Sequence, residues 1–204
     1  MDIRLNFVNR SNEQNNPDIV IFQKNGAGSS ELAIAWLVIR NCAPGDHHPF
    51  VFPVAMAVSC SDSWGNYTPQ LPAQPGQLFA LRQTTSGDVL APSGPASVPT
   101  ELQVLNGLAQ GAINAQIYRA GRLIALATSL APQQKAAFRF APTIWIGPAA
   151  QIEEGDVMNS AVLSSIPTEI SLLGIAGADI VMTGGGPGKG ATPLLFTLEN
   201  IVYA

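Results

Sequence analysis

Alternation with a period of two residues runs through most of this chain and restricts it to β-strands. From Asp2 to Val8 the apolar side chains Ile3, Leu5 and Phe7 stand at every second position. Such a pattern places apolar and polar side chains on opposite faces of an extended strand. Prolines, glycines and serines divide the pattern into short segments. We therefore predict an all-β fold, an antiparallel β-sandwich of immunoglobulin-like or jelly-roll style with about ten to twelve short strands.

Several segments predict particular strands. Residues 31–40 are apolar on both faces, which suits a central strand, although a short buried helix would have a similar composition. Residues 50–59 and 135–146 each predict a strand that contains a proline. Residues 119–122, with Gly121 available for a positive φ, predict a hairpin turn.

One proline-rich segment bears on how the chain is divided. Residues 91–99 (APSGPASVP) hold three prolines and form the strongest break in the sequence. We expect a single β-sandwich domain over residues 1–204, with an internal division near 91–99 as the alternative.

A short pattern occurs twice. Residues 41–45 (NCAPG) precede an aromatic-x-aromatic strand at 50–52, and residues 129–133 (SLAPQ) precede another at 138–140. The two segments are either similar hairpins facing each other in one sandwich or alike by chance.

The sparse charge of the chain favours self-association. Only 12% of residues are charged, against a usual share of about 25%. A monomer of 21.4 kDa exposes roughly 9,100 Å², or about one charge per 380 Å². Neutral surface of this kind favours contacts between copies, so we expect a homo-oligomer. A monomer coated with Ser, Thr, Asn, Gln and Gly is the alternative.

Charge and hydropathy also exclude some partners and compartments. The net charge is −4 and no run of Lys and Arg is present, which argues against nucleic acid. No apolar stretch approaches the ~20 residues of a transmembrane helix. The first residues do not resemble a secretory signal, so we expect a cytoplasmic protein, with release by lysis or a non-classical route also compatible. Cys42 and Cys60 are expected to be free thiols, with pairing left open.

A glycine-rich segment resembles a phosphate-binding loop but departs from its pattern. Thr183 stands where the first glycine is needed, Gly190 replaces the hydroxyl residue, and the following sequence is strand-like. We interpret the segment as a hairpin loop that can lie at an interface, and expect Gly185→Asp to disturb association more than folding. The candidate interface residues are Gly184, Gly185, Gly186, Pro187, Gly188 and Lys189.

A second candidate loop combines aromatic and amide side chains. Its members are Asp62, Trp64, Asn66, Tyr67 and Gln70. Stacking faces beside planar hydrogen-bonding groups are typical of carbohydrate-binding loops and of protein interfaces. A tryptophan that anchors a long loop to the core has the same sequence appearance, and the sequence slightly favours that interpretation.

The chain contains no recognisable catalytic or cofactor motif. Neighbouring His47 and His48 point to opposite faces if extended, and we expect a solvated loop there rather than a metal site. Glu153 and Glu154 lie in a glycine-containing turn, where solvation is more common than calcium binding. We therefore expect no catalytic residue, metal or cofactor. The predicted function is a non-enzymatic, self-associating β-sandwich protein; the alternative is a carbohydrate- or membrane-binding sandwich, lectin-like or pore-forming toxin-like.

Overall fold

The computed structural model describes residues 2–28 and 33–204, and nearly all of its regular structure is β. The strands before residue 100 are β1 (Ile3–Asn9), β2 (Asp18–Phe22), β3 (Ala33–Ile34), β4 (Leu37–Ile39), β5 (His47–Phe52), β6 (Met56–Asp62), β7 (Leu71–Ala73), β8 (Gln77–Thr84) and β9 (Gly87–Pro95). The later strands are β10 (Leu102–Asn106), β11 (Ile113–Arg119), β12 (Arg122–Leu130), β13 (Lys135–Phe138), β14 (Thr143–Ala149), β15 (Val157–Met158), β16 (Thr168–Ser171), β17 (Ile175–Gly185) and β18 (Thr192–Tyr203). The prediction of an all-β protein is confirmed.

The described residues contain more strands than the ten to twelve expected, because proline interrupts segments that alternation alone joins. The predicted strand over 50–59 is wrong as one element: β5 ends before Pro53 and β6 begins at Met56. The predicted strand over 135–146 is likewise divided into β13 and β14, with Pro142 between them. Proline cannot donate a hydrogen bond to a neighbouring strand, which ends the pairing at these points.

Two other predicted elements have different outcomes. Of residues 31–40, the first two lie outside the described residues, and the rest form β3 and β4 with a fully buried Trp36 between them. The hairpin turn at 119–122 is confirmed, with Ala120 and Gly121 both at positive φ.

Helix α1 (Ser160–Ser165) was not predicted; the Asn159 side chain caps it by accepting a hydrogen bond from Val162 N. No helix among the described residues is long and apolar enough to cross a membrane.

The chain divides into two compact units. The first unit contains Met1–Gln23, Ile34–Val54 and Pro142–Ala204, and the second contains Lys24–Ala33 and Ala55–Ala141. The proline-rich residues 91–99 lie inside the second unit, where β9 extends to Pro95. The interpretation of residues 1–204 as one domain stays a prediction.

The first unit is built from two four-stranded sheets. Their strand orders are β18-β17-β1-β5 and β16-β14-β2-β4. Trp36, beside the second sheet, packs edge-on against Phe52 of β5 with ring centroids 5.2 Å apart. The core on the inner face of β1 consists of the alternating residues Ile3, Leu5 and Phe7, as the sequence predicts.

The second unit repeats this arrangement. Its sheets have the orders β13-β10-β8-β9 and β12-β11-β6-β7. Among the described pairings within the four-stranded sheets, each unit has one parallel pair, β1 with β17 in the first unit and β10 with β8 in the second. Strands β1, β2, β4 and β5 therefore correspond to β10, β11, β12 and β13, and β14, β16, β17 and β18 correspond to β6, β7, β8 and β9.

The doubled sequence pattern lies at corresponding turns of the two units. Asn9 N donates to Asp46 O at 3.0 Å, and Asn106 N donates to Gln134 O at 2.9 Å. The residue before each acceptor adopts a positive φ, 95° at Gly45 and 67° at Gln133. The two segments are thus similar turns in two different units, rather than hairpins that face each other in one sandwich.

The path of the chain exchanges halves between the units. Strands β1 to β9 form the first repeat and β10 to β18 the second. The first repeat supplies β1, β2, β4 and β5 to the first unit and β6 to β9 to the second; the second repeat supplies β10 to β13 to the second unit and β14 to β18 to the first. Apart from residues 24–33, which belong to the second unit, the chain changes unit at Val54–Ala55 and at Ala141–Pro142, which are corresponding places in the two repeats. Residues 96–101 therefore join two repeats within one unit.

Candidate binding surfaces

The aromatic loop of the second unit is organised by one carboxylate. Asp62, the last residue of β6, accepts hydrogen bonds from Trp64 N and Asn66 N with its Oδ1, both at 2.9 Å. Its Oδ2 accepts from Asn66 Nδ2 at 2.8 Å. These bonds, led by that of the Asn66 side chain, lower the pKa of Asp62 below its ordinary value. The carboxylate is charged at neutral pH and holds the loop in one conformation.

The loop directs its tryptophan into solvent. Trp64 is 88% exposed and Tyr67 is 67% exposed, so the interpretation of Trp64 as an anchor to the core is wrong. The bonds to Asp62 explain the difference, since a loop fixed by its own polar groups needs no apolar anchor.

A cleft of about 290 Å³ opens beside this loop. Asp62, Asn66 and Tyr67 line it together with Thr68 and Asp88. Trp64 and Gln70 are exposed nearby but do not line it. The structure therefore brings together three of the five predicted loop residues around one concavity and leaves Trp64 as a separate exposed face.

The glycine-rich segment is the hairpin connection between β17 and β18. Gly184 and Gly185 end β17, Gly188–Gly190 form a short 3-10 turn, and Lys189 is exposed. Asn12 N donates to Gly184 O at 2.7 Å, so residues 12–13 run beside the base of this loop. A strand follows instead of the helix that phosphate binding requires.

Gly185 belongs to the packed part of the loop. Its φ is +77°, and a Cβ there would lie 2.9 Å from backbone atoms of Glu13. Gly190 has no atom within 4 Å of the corresponding position. The expectation that Gly185→Asp would act on association more than on folding is therefore wrong, because the substitution strains the fold itself.

The polar residues considered for metal binding are placed apart or bonded locally. His47 and His48 begin strand β5 rather than a solvated loop, and both are exposed. Asp156 Oδ2 accepts from Glu153 N at 2.8 Å, which closes a turn. Within residues 2–28 and 33–204, no group of three or more His, Cys, Asp or Glu side chains could hold a metal ion. Cys42 and Cys60 are free thiols.

A groove in the first unit was not predicted from the sequence. A groove of about 840 Å³ lies on the outer face of the β18-β17-β1-β5 sheet, lined by Arg4 and Asn6 of β1, Asp179 of β17 and Asn200 of β18. Asp179 accepts from Asn200 Nδ2 at 2.6 Å and from Asn6 Nδ2 at 3.0 Å. These two bonds are the main reason that the pKa of Asp179 is lowered.

The groove has a strained backbone position and an unsatisfied oxygen on its floor. Asn200 adopts φ +50° where the register between β17 and β18 shifts. Asn6 Oδ1 is buried and has no hydrogen-bond partner among the described residues. Because the Asp179 carboxylate only accepts, Nδ2 of Asn6 must face it, which fixes the position of this oxygen. Residues 6, 179 and 200 are too far apart in sequence for spacing to reveal them.

Comparison with known proteins gives no identification. No family model, no curated protein and no solved structure matches this chain. Function must therefore be argued from the surfaces described above.

Proposed function

We propose that this protein is a non-enzymatic β-sandwich protein that associates with copies of itself through the edge strand β18. The observation that carries the proposal is the exposure of large apolar side chains on this strand. Leu195 is 59% exposed, Val202 60% and Tyr203 73%, and Ile201 is exposed as well. An edge strand offers unpaired backbone groups, and apolar side chains beside them favour pairing with another chain.

The corresponding edge strand of the second unit, β9, is less suited to pairing with another chain, which supports the choice of β18 as the site of association. Strand β9 contains Pro92 and Pro95, and proline on an edge strand prevents pairing. In β18 the only proline is Pro193, at its second residue. The β18 edge carries one charged side chain, Glu199, which Arg10 neutralises at 2.7 Å.

The sandwich part of the proposal is supported by the contacts that Trp36 makes with Phe50 and Phe52 from beside a different sheet.

The proposal is tested by comparing the particle masses of two variants at corresponding positions of β18 and β9. Size exclusion with light scattering should show that the unmodified protein grows in mass with concentration. Leu195→Lys should abolish that growth, because an ammonium group on the edge opposes pairing. Val89→Lys is the matched control, since Val89 has the corresponding position on β9 and is also exposed. A monomer at every concentration, or an equal effect of Val89→Lys, would contradict the proposal.

The aromatic loop supports a second candidate, recognition of a carbohydrate. The exposed face of Trp64 can stack on a sugar ring, while Asp62, Asn66 and Tyr67 present hydrogen-bonding groups in the adjoining cleft. The fixed loop conformation lowers the entropic cost of binding.

This candidate is tested by glycan-array binding and by tryptophan fluorescence. Trp64→Ala should remove array binding, whereas Val98→Ala, an exposed apolar change outside the loop, should not. A blue shift of Trp64 fluorescence with lipid vesicles, without any glycan signal, would instead indicate a membrane-binding loop and contradict carbohydrate recognition.

A further inference from the structure

The cleft beside the aromatic loop lies where the two sheets of the second unit approach each other. Asp62 ends β6 of the β12-β11-β6-β7 sheet, whereas Leu81 and Asp88 belong to β8 and β9 of the other sheet. All three residues line the cleft, together with Asn66 and Tyr67 of the aromatic loop. The walls of the cleft are therefore set by strands as well as by the loop.

Asp88 occupies a position on β9 that faces the core. It lies two residues before Leu90, and side chains two residues apart on a strand share a face. Leu90 is buried, and it pairs with the buried Leu81, which also lines the cleft. The Asp88 side chain has no hydrogen bond or ion pair with any described residue. A carboxylate without a partner thus stands where an apolar side chain would extend the core.

The negative charge of the cleft is not balanced by a cation. The hydrogen bonds to the Asp62 carboxylate come from the uncharged amides of Trp64 and Asn66. No Lys, Arg or His stands among the described residues that line the cleft. Arg82 of β8 points to the opposite face of its sheet and donates to Ser93 Oγ at 2.9 Å. Two carboxylates therefore face one concavity, which attracts cations and repels anionic ligands.

The aromatic loop supplies a stacking face next to this charge. Trp64 N is bonded to Asp62, and the Trp64 side chain is exposed outside the lining of the cleft. An indole face stacks on the apolar surface of a sugar ring and also attracts cations. The cleft volume of about 290 Å³ is near the lower end of the ~300–1,000 Å³ of ligand pockets. A single sugar residue suits this volume, which leaves the next residue of a saccharide chain for Trp64.

We propose that the cleft binds an amino sugar, a hexosamine residue whose amino group is a free ammonium. The ammonium lies between the carboxylates of Asp62 and Asp88, with Asp62 Oδ2 providing the acceptor site that Asn66 leaves open. Hydroxyl groups of the sugar bond to Tyr67, and the neighbouring residue of the saccharide stacks on Trp64. This inference rests on carbohydrate recognition by the aromatic loop and names the class of sugar that the loop selects.

The inference is tested with trisaccharides that differ only at the second carbon of each ring. The β-1,4-linked trimers of glucosamine, N-acetylglucosamine and glucose carry an ammonium, an acetamide or a hydroxyl group there. They are titrated into the full-length protein by isothermal titration calorimetry at about pH 6, where the amines are charged. We expect the glucosamine trimer to bind roughly tenfold more tightly than the other two, as a pair of partly exposed ion pairs allows. Added salt should reduce this preference, because it screens charges near the surface.

Two protein variants assign the preference to Asp88. Asp88→Asn should reduce the preference to about threefold or less, while Glu169→Gln, an exposed change in the first unit, should leave it unchanged. Equal affinity for all the trimers would overturn the inference and leave carbohydrate recognition standing. Binding of none of them would also overturn the inference, and a glycan array without signal would overturn carbohydrate recognition as well.

Charge alone is tested with trilysine, which carries ammonium groups without a sugar ring. Trilysine should bind much more weakly than the glucosamine trimer, because it has no ring to stack on Trp64. Equal binding of trilysine, or an unchanged preference in Asp88→Asn, would overturn the inference.

Discussion

Two of the hydrogen bonds made by the Asn9 side chain have counterparts at Asn106, in a different sheet. Asn9 Nδ2 donates to Cys42 O at 2.7 Å, and Asn106 Nδ2 donates to Leu130 O at 2.8 Å. Each side-chain oxygen accepts from the backbone N–H two residues later, that of Ser11 or Leu108. Both asparagines are almost fully buried. One amide thus joins the end of a strand to the Ala-Pro turn in each unit.

Replacing either asparagine by alanine should destabilise the protein by about 2 kcal/mol or more, because buried backbone groups lose their partners. Urea unfolding measures the change. Gln14→Ala, an exposed change, is the control and should stay within about 0.5 kcal/mol. The two substitutions should cost similar amounts, because each asparagine side chain makes three hydrogen bonds; Asn9 Oδ1 also accepts from Ser11 Oγ, and Asn106 Nδ2 also donates to Gly111 O. Equal stability of Asn106→Ala and the unmodified protein would show that these bonds do not matter.

Cutting the chain between the two repeats should leave the protein associated. A protease site inserted between Pro99 and Thr100 divides the chain where the repeats meet, and each fragment contributes strands to both units. The cleaved fragments should elute together in native buffer and separate only in denaturant. A protease site in the β8–β9 hairpin, between Ser86 and Gly87, is the matched control, because it cuts the chain within the first repeat instead of between the repeats. Separation of the fragments at Pro99–Thr100 without denaturant would contradict the exchange of halves.

Two glycine substitutions should separate folding from association in the β17–β18 loop. Gly185→Asp should destabilise the protein by about 2 kcal/mol, since it combines an unfavourable φ with contacts to the Glu13 backbone. Gly190→Asp places the same charge where space is open and should change stability by less than about 0.5 kcal/mol. If the loop lies at an interface, Gly190→Asp reduces particle mass in light scattering. An unchanged mass would exclude that role.

The stability of the first unit should depend on pH through Asp179. Its pKa is lowered in the folded protein, so its contribution is present above the unfolded value of about 3.9 and is lost as pH falls through the lowered value. Asp179→Asn should cost about 1 kcal/mol at pH 7, because bonds to a carboxylate near solvent are weakened. The cost should shrink below about pH 4. Asp88→Asn, an exposed change of equal charge, is the control, and a pH-independent cost for Asp179→Asn would refute the assignment.

The two thiols should react at different rates. Burial raises the pKa of Cys60 to about 12, so it has almost no thiolate at pH 8. Burial, and then the charge of Asp46, also raises the pKa of Cys42, but that side chain is partly accessible. A disulfide-exchange reagent should modify Cys42 slowly and Cys60 only after unfolding. Equal rates in the native protein would contradict this expectation, and Cys42→Ser identifies the reacting residue.

Structural features that depend on residues close together in the sequence could be predicted. Alternation around Leu5 identifies β1 and its buried face, and Ala120-Gly121 identifies a hairpin, because both signals are local. The aromatic loop was identified by its composition, but its exposure depends on three hydrogen bonds to Asp62 that composition does not reveal.

The pairing of β1 with β17 could not be predicted, because about 170 residues separate the two strands. The groove depends on that pairing, since it places Asn6 beside Asp179. The doubled Ala-Pro pattern was the one signal of the repeat in the sequence. It could not show that each unit takes its halves from different repeats, because that depends on where the chain crosses after Phe52 and Phe140.

The exchange of halves has a consequence for synthesis on the ribosome. Strands β10 and β8 become neighbours soon after both are made. Strand β1 pairs early with β5, but its other edge waits for β17, which emerges roughly ten to thirty seconds later at 5–20 residues per second. During that interval one edge of β1 has no partner strand, beside the apolar side chains of Leu5 and Phe7. Strand β1 is therefore translated long before the strand that completes its sheet, and its free edge is open to other polypeptides until β17 emerges.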